Sequence, residues 1–110
     1  MDKVLNNMVN LVESKISEIR EACKSFGVEE LEIFGSARSG KDFDPSNSDV
    51  DFLVRFLPRE GGTSPDDYFG LKEKLEELIG RPIDLVMVKA IQNKYFLESI
   101  QDDREMIYTN

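Results

Sequence analysis

Two aspartates, Asp49 and Asp51, lie two positions apart where the apolar segment VDFLVRF (residues 50–56) begins. In a strand, residues i and i+2 point to the same face, with Cα atoms about 6.5 Å apart. Two carboxylates held side by side in this way repel each other, and aspartate is a poor strand former. A divalent cation between them would turn this repulsion into attraction. The pair is therefore a candidate metal site, although an Asp at a strand start is also commonly a solvated end residue or a turn cap.

A third carboxylate interrupts another apolar segment. Asp84 lies within PIDLVMV (residues 82–88), whose other positions are apolar. If this segment is a strand beside the one that carries Asp49 and Asp51, the three carboxylates can face one point. Such a trio can hold one or two Mg²⁺ ions, the arrangement used for in-line phosphoryl or nucleotidyl displacement. Taken alone, Asp84 would be interpreted as a solvated end residue.

A Gly-Ser pair, Gly35-Ser36, follows the short apolar segment LEIF (residues 31–34). A strand that ends in Gly-Ser and turns into a loop or helix presents backbone N–H groups and a hydroxyl to an anion. Glycine lets the backbone come close, and serine adds one donor without bulk. A triphosphate bound there would meet metal ions held by the aspartates. The alternative is a plain turn.

Arg38 is the cation nearest to this Gly-Ser pair. Its guanidinium could contact phosphate oxygens, because arginine recognises phosphate and carboxylate groups equally well. It could instead pair with Asp42 or Asp44 in the polar loop that follows. The sequence leaves both roles open.

The net charge of −8, from 22 acidic and 14 basic residues, disfavours direct binding of nucleic acid, which needs a basic surface. A basic partner protein, or a small anion held together with metal ions, remains compatible. At 110 residues, the chain is expected to form one domain, 1–110. No stretch approaches 18 apolar residues and no signal-peptide pattern is present. We therefore expect a cytoplasmic protein that does not bind membranes.

The chain has no histidine and one cysteine, Cys23. This composition excludes zinc sites of the Cys/His type, Ser-His-Asp or Cys-His catalysis, and imidazole acid–base chemistry. Any metal must be held by oxygen ligands, which favours Mg²⁺ or Mn²⁺. Cys23 lies on the apolar face of a predicted helix and is interpreted as a core thiol.

The apolar spacing predicts the order helix, strand, strand, helix, strand, helix, strand. The fold class is therefore α/β (α+β), with a mixed sheet of about four strands and helices on one side. The link between the first two strands is too short for a long helical crossover. It fits a hairpin-like return or a connection with one helical turn. The predicted helices cover residues 5–26, 65–79 and 91–100, and the predicted strands cover 31–34, 50–56, 82–88 and 105–108.

The segments FGSARSG, SDVDFLV and IDLVMV, in this order, resemble the minimal nucleotidyltransferases (MNT) of the DNA polymerase β-like superfamily. The resemblance continues through LKEKLEELIGRPIDLV and ESIQDDREMIY, so it covers nearly the whole chain. It implies a small polymerase-β-like nucleotidyltransferase core. The stretch between Ser36 and Asp49 is longer than the family's usual spacing. Ser39 also stands where the family often has a basic residue, and Arg38 is the candidate to replace it.

Carried over by position, the resemblance implies that Gly35 and Ser36 bind phosphate and that Asp49 and Asp51 bind metal. Asp84 then corresponds to the third carboxylate, which helps to activate the acceptor hydroxyl. Many similar proteins are antitoxins encoded beside a HEPN-domain ribonuclease toxin, and they neutralise it by transferring AMP from ATP to a toxin tyrosine.

The resulting hypothesis is a Mg²⁺-dependent protein adenylyltransferase that forms a hetero-oligomer with a HEPN toxin and acts as its antitoxin. A chain of this length has no room for a second domain that holds the acceptor, so a partner must supply it. A strongly acidic surface suits a basic nuclease. The alternative is a catalytically weak nucleotide-binding or steric antitoxin subunit. A small-molecule nucleotidyltransferase is disfavoured by the missing acceptor domain.

Overall fold

The structure, a computed structural model, describes residues 9–40, 43–88 and 104–110. The helices are α1 (Asn10–Glu13), α2 (Ile16–Ser25), α3 (Ser36–Ser39) and α4 (Pro65–Ile79). The strands are β1 (Val28–Phe34), β2 (Val50–Phe56), β3 (Ile83–Met87) and β4 (Arg104–Thr109). The helix predicted over 91–100 lies outside the described residues. None of the described helices is long and apolar enough to cross a membrane.

The strands form one four-stranded sheet in the order β3-β2-β1-β4. Strand β1 is antiparallel to both β2 and β4, whereas β2 and β3 are parallel. The predicted mixed sheet is therefore confirmed. The link from β1 to β2 combines the two connections that the sequence left open, because the strands return antiparallel and the single turn of α3 lies between them.

One face of the sheet packs against the helices. The side chains of Val50, Phe52, Val54 and Phe56 all lie in the main core, which confirms the face predicted for β2. The thiol of Cys23 is fully buried, and burial raises its pKa to about 12, so it is a core thiol as predicted. Other members of this core are Val12, Ile19, Leu31, Ile33, Leu71, Leu75, Ile79 and Ile83.

Helix α4 begins and ends where the sequence predicts. The Ser64 hydroxyl accepts a hydrogen bond from the Asp66 N–H at 3.1 Å, and Pro65 occupies the first helical position. At the other end, Gly80 adopts a left-handed conformation with φ of +79° and donates its N–H to the Glu76 carbonyl. Both ends of the helix that leads into β3 are thus fixed by local chemistry.

The prediction of one helix over residues 5–26 is wrong for the described part of that range. The chain turns at Ser14 and Lys15, so that α1 and α2 are separate helices. The start of α1 is tied to α3 by a hydrogen bond from the Val9 N–H to the Ala37 carbonyl, 2.9 Å long. Apolar residues keep the same spacing across the turn, so their periodicity gave no sign of it.

Strand β1 begins at Val28, three residues before the predicted start at Leu31. Val28 is followed by two charged residues, Glu29 and Glu30, so the apolar pattern did not indicate that the strand begins here. Glu30 lies opposite Arg55 in β2, and the two side chains form an ion pair at 3.5 Å. Such a cross-strand pair compensates for the low strand propensity of glutamate. The predicted third and final strands differ from β3 and β4 by one residue at each end.

The hydroxyl of Tyr68 links α4 to the edge strand β3, since it donates to the Leu85 carbonyl at 2.6 Å. Tyr68→Phe removes only this donor and should lower the free energy of unfolding by about 1 kcal/mol. Urea unfolding followed by circular dichroism measures the change. Ser25→Ala, which removes an exposed hydroxyl bond to the Glu21 carbonyl within α2, should change stability by less than about 0.5 kcal/mol. Equal stability of Tyr68→Phe and wild type would contradict a structural role for the bond.

Candidate active site

The parallel pairing of β2 and β3 places Asp51 directly opposite Asp84. The expectation that the third strand lies beside the second is therefore met, and the two carboxylates share one face of the sheet. The flanking residues fix this register: Val50 and Phe52 on one side of the pair, and Ile83 and Leu85 on the other, are buried in the core. A slip by one residue would turn the aspartates into the core, which makes the register strongly specified.

The carboxyl group of Asp51 is the electrostatic centre of the cluster. Its pKa is raised from 3.8 to about 6, first because burial removes water from the carboxylate and then because Asp84 and Asp49 add negative charge nearby. Asp51 is half-buried, whereas Asp49 and Asp84 are exposed. Both of the other predicted acids thus act on Asp51, which is the most enclosed of the three.

Apolar side chains contribute to the enclosure of Asp51. On the same face of β2, Leu53 is 1% exposed and forms a small cluster with Phe34. Val86 and Val88 pack against this cluster from β3 and just beyond it. The Asp51 carboxylate therefore borders an apolar surface, which strengthens its interactions with nearby charges.

Gly35 lies in direct contact with the Asp51 carboxylate. Phe34 is the register partner of Asp51 in the antiparallel β1–β2 pair, so the chain leaves β1 beside this carboxyl group. The backbone of Gly35 has φ of +79° and ψ of −157°, and a Cβ atom on it would be 2.7 Å from Asp51 Oδ2. Only glycine fits both the conformation and the space. The turn predicted to hold phosphate is thus placed against a predicted metal ligand.

Ser36 begins α3 immediately after this contact, and Ala37, 1% exposed, anchors the helix in the core. The first N–H groups of a helix have no acceptor within the helix. The N–H groups of Arg38 and Ser39 donate to the Gly35 carbonyl, at 3.1 and 3.2 Å. The start of α3, with the backbone of Ser36 and Ala37, therefore directly follows the residue that contacts Asp51.

Arg38 lies at the end of α3 and is half-buried. Of its two predicted carboxylate partners, Asp42 is outside the described residues. The carboxylate of Asp44 accepts hydrogen bonds from the Ser46 N–H and the Asn47 amide, which hold its pKa below the ordinary value. The cation that also lowers this pKa is Arg81. The Asp44 carboxylate thus stabilises the turn in which it lies. The phosphate role of Arg38 stays a prediction.

A turn role for Asp44 is indicated by the polar, Pro-containing loop around it, because Asp44-Pro45-Ser46-Asn47 is rich in residues whose side chains bond to nearby backbone, and the structure forms that turn. Sequence reasoning gave no role to Arg81. Arg81 carries no such signal. Its partner is a backbone carbonyl 33 residues away in the chain, and no spacing rule reaches that far.

The donor chemistry of the cluster fits a hard divalent cation. Carboxylate oxygens are the ligands that Mg²⁺ and Mn²⁺ prefer, and a positive charge here would offset the burial and the neighbouring charges that raise the pKa of Asp51. Within residues 9–40, 43–88 and 104–110, no three acidic or cysteine side chains are already arranged to hold a metal ion. Asp49 and Asp84 are exposed, so their side chains can rotate towards an ion. The residues therefore fit the cation, with closure of the cluster upon binding.

A family model described as "Nucleotidyltransferase domain" matches residues 16–107. The chain belongs to the nucleotidyltransferase family. The match spans every element from α2 to most of β4, including the turn at Gly35 and the three carboxylates. The predicted nucleotidyltransferase membership is thereby confirmed.

Curated relatives narrow the class of nucleotidyltransferase that this chain resembles. Protein adenylyltransferase MntA of Thermococcus cleftensis is 35% identical over 89 residues, which cover 81% of this chain and 82% of that protein. A Methanocaldococcus jannaschii protein, provisionally named a protein adenylyltransferase, is 31% identical over 96 residues. That alignment covers 80% of this chain and 93% of the relative.

Solved structures share the fold of this nucleotidyltransferase. A chain described as a minimal nucleotidyltransferase superposes with a TM-score of 0.71 at 25% identity, covering 88% of this chain and 95% of that one. A chain in the complex of tri-AMPylated Shewanella oneidensis HEPN toxin with MNT antitoxin superposes with a TM-score of 0.61. There the identity is 14%, over 89% of this chain and 72% of the other. The polymerase-β-like fold predicted from the sequence is confirmed.

The contact between Gly35 and Asp51 can be tested by a double-mutant cycle. Gly61 also has a positive φ, +83°, with open space where a Cβ would be, so Gly61→Ala measures the strain of an alanine at positive φ without a collision, about 1 kcal/mol. Gly35→Ala should cost about 2 kcal/mol more, because its methyl group displaces Asp51. In the Asp51→Ala background this excess should disappear. An excess that persists would show that the Asp51 contact is not the cause.

The raised pKa of Asp51 predicts that Asp51→Asn increases the stability of the metal-free protein in a pH-dependent way. The folded-state pKa of about 6 exceeds the unfolded value near 3.8, so the folded protein binds this proton more tightly. Ionisation of Asp51 therefore destabilises the metal-free fold, fully above about pH 6 and not at all below about pH 4. At pH 7.5 in chelator, Asp51→Asn should be more stable than wild type by about 1 kcal/mol, after allowance for solvent screening.

Urea unfolding at several pH values measures this difference, which should vanish by about pH 4. Asp66→Asn is the control, because Asp66 is an exposed acid in the first turn of α4 and its charge is favourable there. Its substitution should lower stability slightly at pH 7.5. A loss of stability in Asp51→Asn at that pH would instead mark Asp51 as a structural residue.

Proposed function

We propose that this nucleotidyltransferase transfers AMP from ATP to a hydroxyl of a HEPN-type ribonuclease toxin and thereby acts as its antitoxin. The observation that carries the proposal is the register of β2 and β3, which sets Asp51 opposite Asp84 beside the turn at Gly35. Support comes from the protein adenylyltransferase relatives and from the shared fold with a chain of an AMPylated HEPN toxin complex. ATP as the substrate agrees with the predicted cytoplasmic location.

In this proposal, Asp49, Asp51 and Asp84 hold Mg²⁺ or Mn²⁺, and Asp49 and Asp51 are the two ligands through which the metal holds the triphosphate. When bound, the metal supplies positive charge that neutralises the triphosphate and the reacting oxygens. Gly35 and Ser36 receive the phosphates through backbone N–H groups and the serine hydroxyl, and Arg38 adds a cation. The close approach of Gly35 to Asp51 is what would bring the phosphates and the carboxylates together.

Asp84 is the residue proposed to receive the proton of the acceptor hydroxyl. A bond forms between the acceptor oxygen and the α-phosphorus of ATP, the bond from that phosphorus to the bridging oxygen breaks, and pyrophosphate leaves. The hydroxyl proton passes to the Asp84 carboxylate and from there to solvent. Because Asp84 is exposed, an oxygen from a second molecule can reach it.

The acceptor is proposed to be a tyrosine hydroxyl of the partner. The carboxylates lie at the surface, where a side chain of another protein can approach them. The net charge of −8 favours association with a basic protein and disfavours nucleic acid. Enzyme and toxin would then form a hetero-oligomer in which the toxin supplies the substrate.

Asp84→Ala should reduce AMP transfer by at least about 100-fold, the range attributed to a general base, while ATP binding changes little. Transfer is measured as AMP increments in the intact mass of the partner, and ATP binding by calorimetry. Asp66→Ala, an exposed acid on α4, is the matched control and should keep full activity. Excess chelator should abolish both transfer and ATP binding.

If the protein is instead a steric antitoxin, the same assay should show inhibition of the partner without AMP transfer. If wild type silences the partner with no change in its mass, and Asp84→Ala silences it equally well, the enzymatic proposal is wrong. Equal ATP affinity in Mg²⁺ and in chelator would separately contradict the metal site.

A further inference from the structure

Two hydrogen bonds from the junction between α4 and β3 bracket Asp49. Before it in the chain, the Ser48 carbonyl accepts a hydrogen bond from Arg81 Nε at 2.9 Å. After it, the Val50 N–H donates to the Pro82 carbonyl at 3.0 Å. The second bond belongs to the backbone of the sheet, but the first depends on one side chain. Arg81 is therefore the residue whose identity determines how the Asp49 peptide is held.

The junction that carries Arg81 has little freedom. Gly80 ends α4 in a left-handed conformation, and the ring of Pro82 fixes the backbone two residues later. The Ile83 N–H donates to the Glu76 carboxylate at 3.3 Å, which ties the start of β3 back to α4. Arg81 is half-buried between these points. Its side chain thus projects from a rigid base that leads within three residues to Asp84.

The segment that precedes Asp49 is a self-contained turn. The Asp44 N–H donates to the Ser48 hydroxyl at 2.8 Å, and the Ser48 N–H donates to the Asp44 carbonyl at 2.7 Å. The Asp44 carboxylate closes the turn on Ser46 and Asn47. These bonds hold the turn together but do not attach it to the sheet. Phe43 packs against the core at the start of the turn, and the bond from Arg81 to Ser48 ties the end of the turn, next to Asp49, to the junction between α4 and β3.

Asp49 needs such support more than Asp51 does. Asp51 is paired on both sides, with Phe34 in β1 and with Asp84 in β3. Asp49 precedes β2, is exposed, and repels Asp51. Rotation of the peptide between Ser48 and Asp49 would carry the Asp49 carboxylate away from the other two.

We propose that Arg81 is a positioning residue for nucleotidyl transfer. By binding the Ser48 carbonyl, it holds Asp49 in place relative to Asp84, on the opposite strand of the same site. The assignment rests on the proposed function for the role of the cluster, while the contact itself is independent of it. The essential element is the N–H donor of the side chain, not its positive charge.

Two substitutions separate the donor from the charge. In Arg81→Gln, the amide nitrogen is as many bonds from Cα as Arg Nε, so a donor remains and the charge is lost. In Arg81→Met, a methyl group takes that place. Arg59→Met is the matched control, because Arg59 pairs with Asp67 at the other end of α4. Circular dichroism establishes that each variant is folded.

The readouts are Mn²⁺ affinity in the presence of a non-hydrolysable ATP analogue, the rate of AMP transfer, and the amide NMR resonance of Asp49. Arg81→Met should weaken Mn²⁺ binding and lower kcat by at least about 10-fold, and it should shift the Asp49 resonance. Arg81→Gln should stay within about threefold of wild type in both quantities and keep the resonance in place. Arg59→Met should stay within about twofold.

If Arg81→Met does not fold, Arg81→Asn replaces it, since its amide donor is one carbon too short to reach Ser48. The assignment would be overturned if Arg81→Gln lost as much Mn²⁺ affinity and kcat as the variant that lacks the donor. It would also be overturned if neither variant lost any. If wild type transfers no AMP, the proposed function fails, and Mn²⁺ affinity with the Asp49 resonance decides the Arg81 assignment. If wild type binds no Mn²⁺, both are overturned.

Discussion

The parallel register of β2 and β3 is the constraint on which the rest of the site depends. It sets Asp51 opposite Asp84, in a position where two carboxylates repel each other and where one of them is half-buried. The sheet accepts this arrangement because the alternate side chains of both strands are buried in the core. Hydrophobic burial on one face thus stabilises an unfavourable set of charges on the other.

The placement of Asp51 opposite Asp84 also explains several local features around these two residues. Gly35 leaves room for the Asp51 carboxylate where any side chain would collide with it. The apolar pair of Leu53 and Phe34 withdraws water from that carboxylate, which raises its pKa and strengthens its attraction for a cation. A cluster optimised for stability alone would be neutral. Its local strain and charge are typical of a site completed by a ligand.

The parts of the fold that the sequence predicted are those controlled by local chemistry. Helix α4 was placed to the residue because Ser64-Pro65 and Gly80 act within one turn of its ends. Strand β2 was placed to the residue because its alternation is regular. The strand pairing that brings Asp84 to Asp51 was expected only conditionally, since neighbours in a sheet are not encoded in either strand alone.

The features that sequence reasoning missed depend on contacts between distant segments. The turn that separates α1 from α2 goes with the bond between Val9 and Ala37, and the apolar spacing continues through it. The early start of β1 depends on the pairing of Glu30 with Arg55. Arg81 binds a backbone carbonyl, which has no side-chain identity to recognise. In each case the partner is set by the tertiary fold, so a pattern in one segment could not reveal it.

The site and the whole chain are both negatively charged, and this restricts how a substrate can bind. A free triphosphate would be repelled both by the net charge of −8 and by the three carboxylates. A triphosphate already paired with a divalent cation carries the charge that the cluster lacks, so metal and nucleotide should bind as one unit. A basic partner protein would be attracted instead of repelled, because the long-range field of the negative charges draws it to the surface where Asp49 and Asp84 are exposed. For the proposed reaction, the electrostatics thus favour an order in which the nucleotide binds with its metal and the acceptor follows on the surface of the partner.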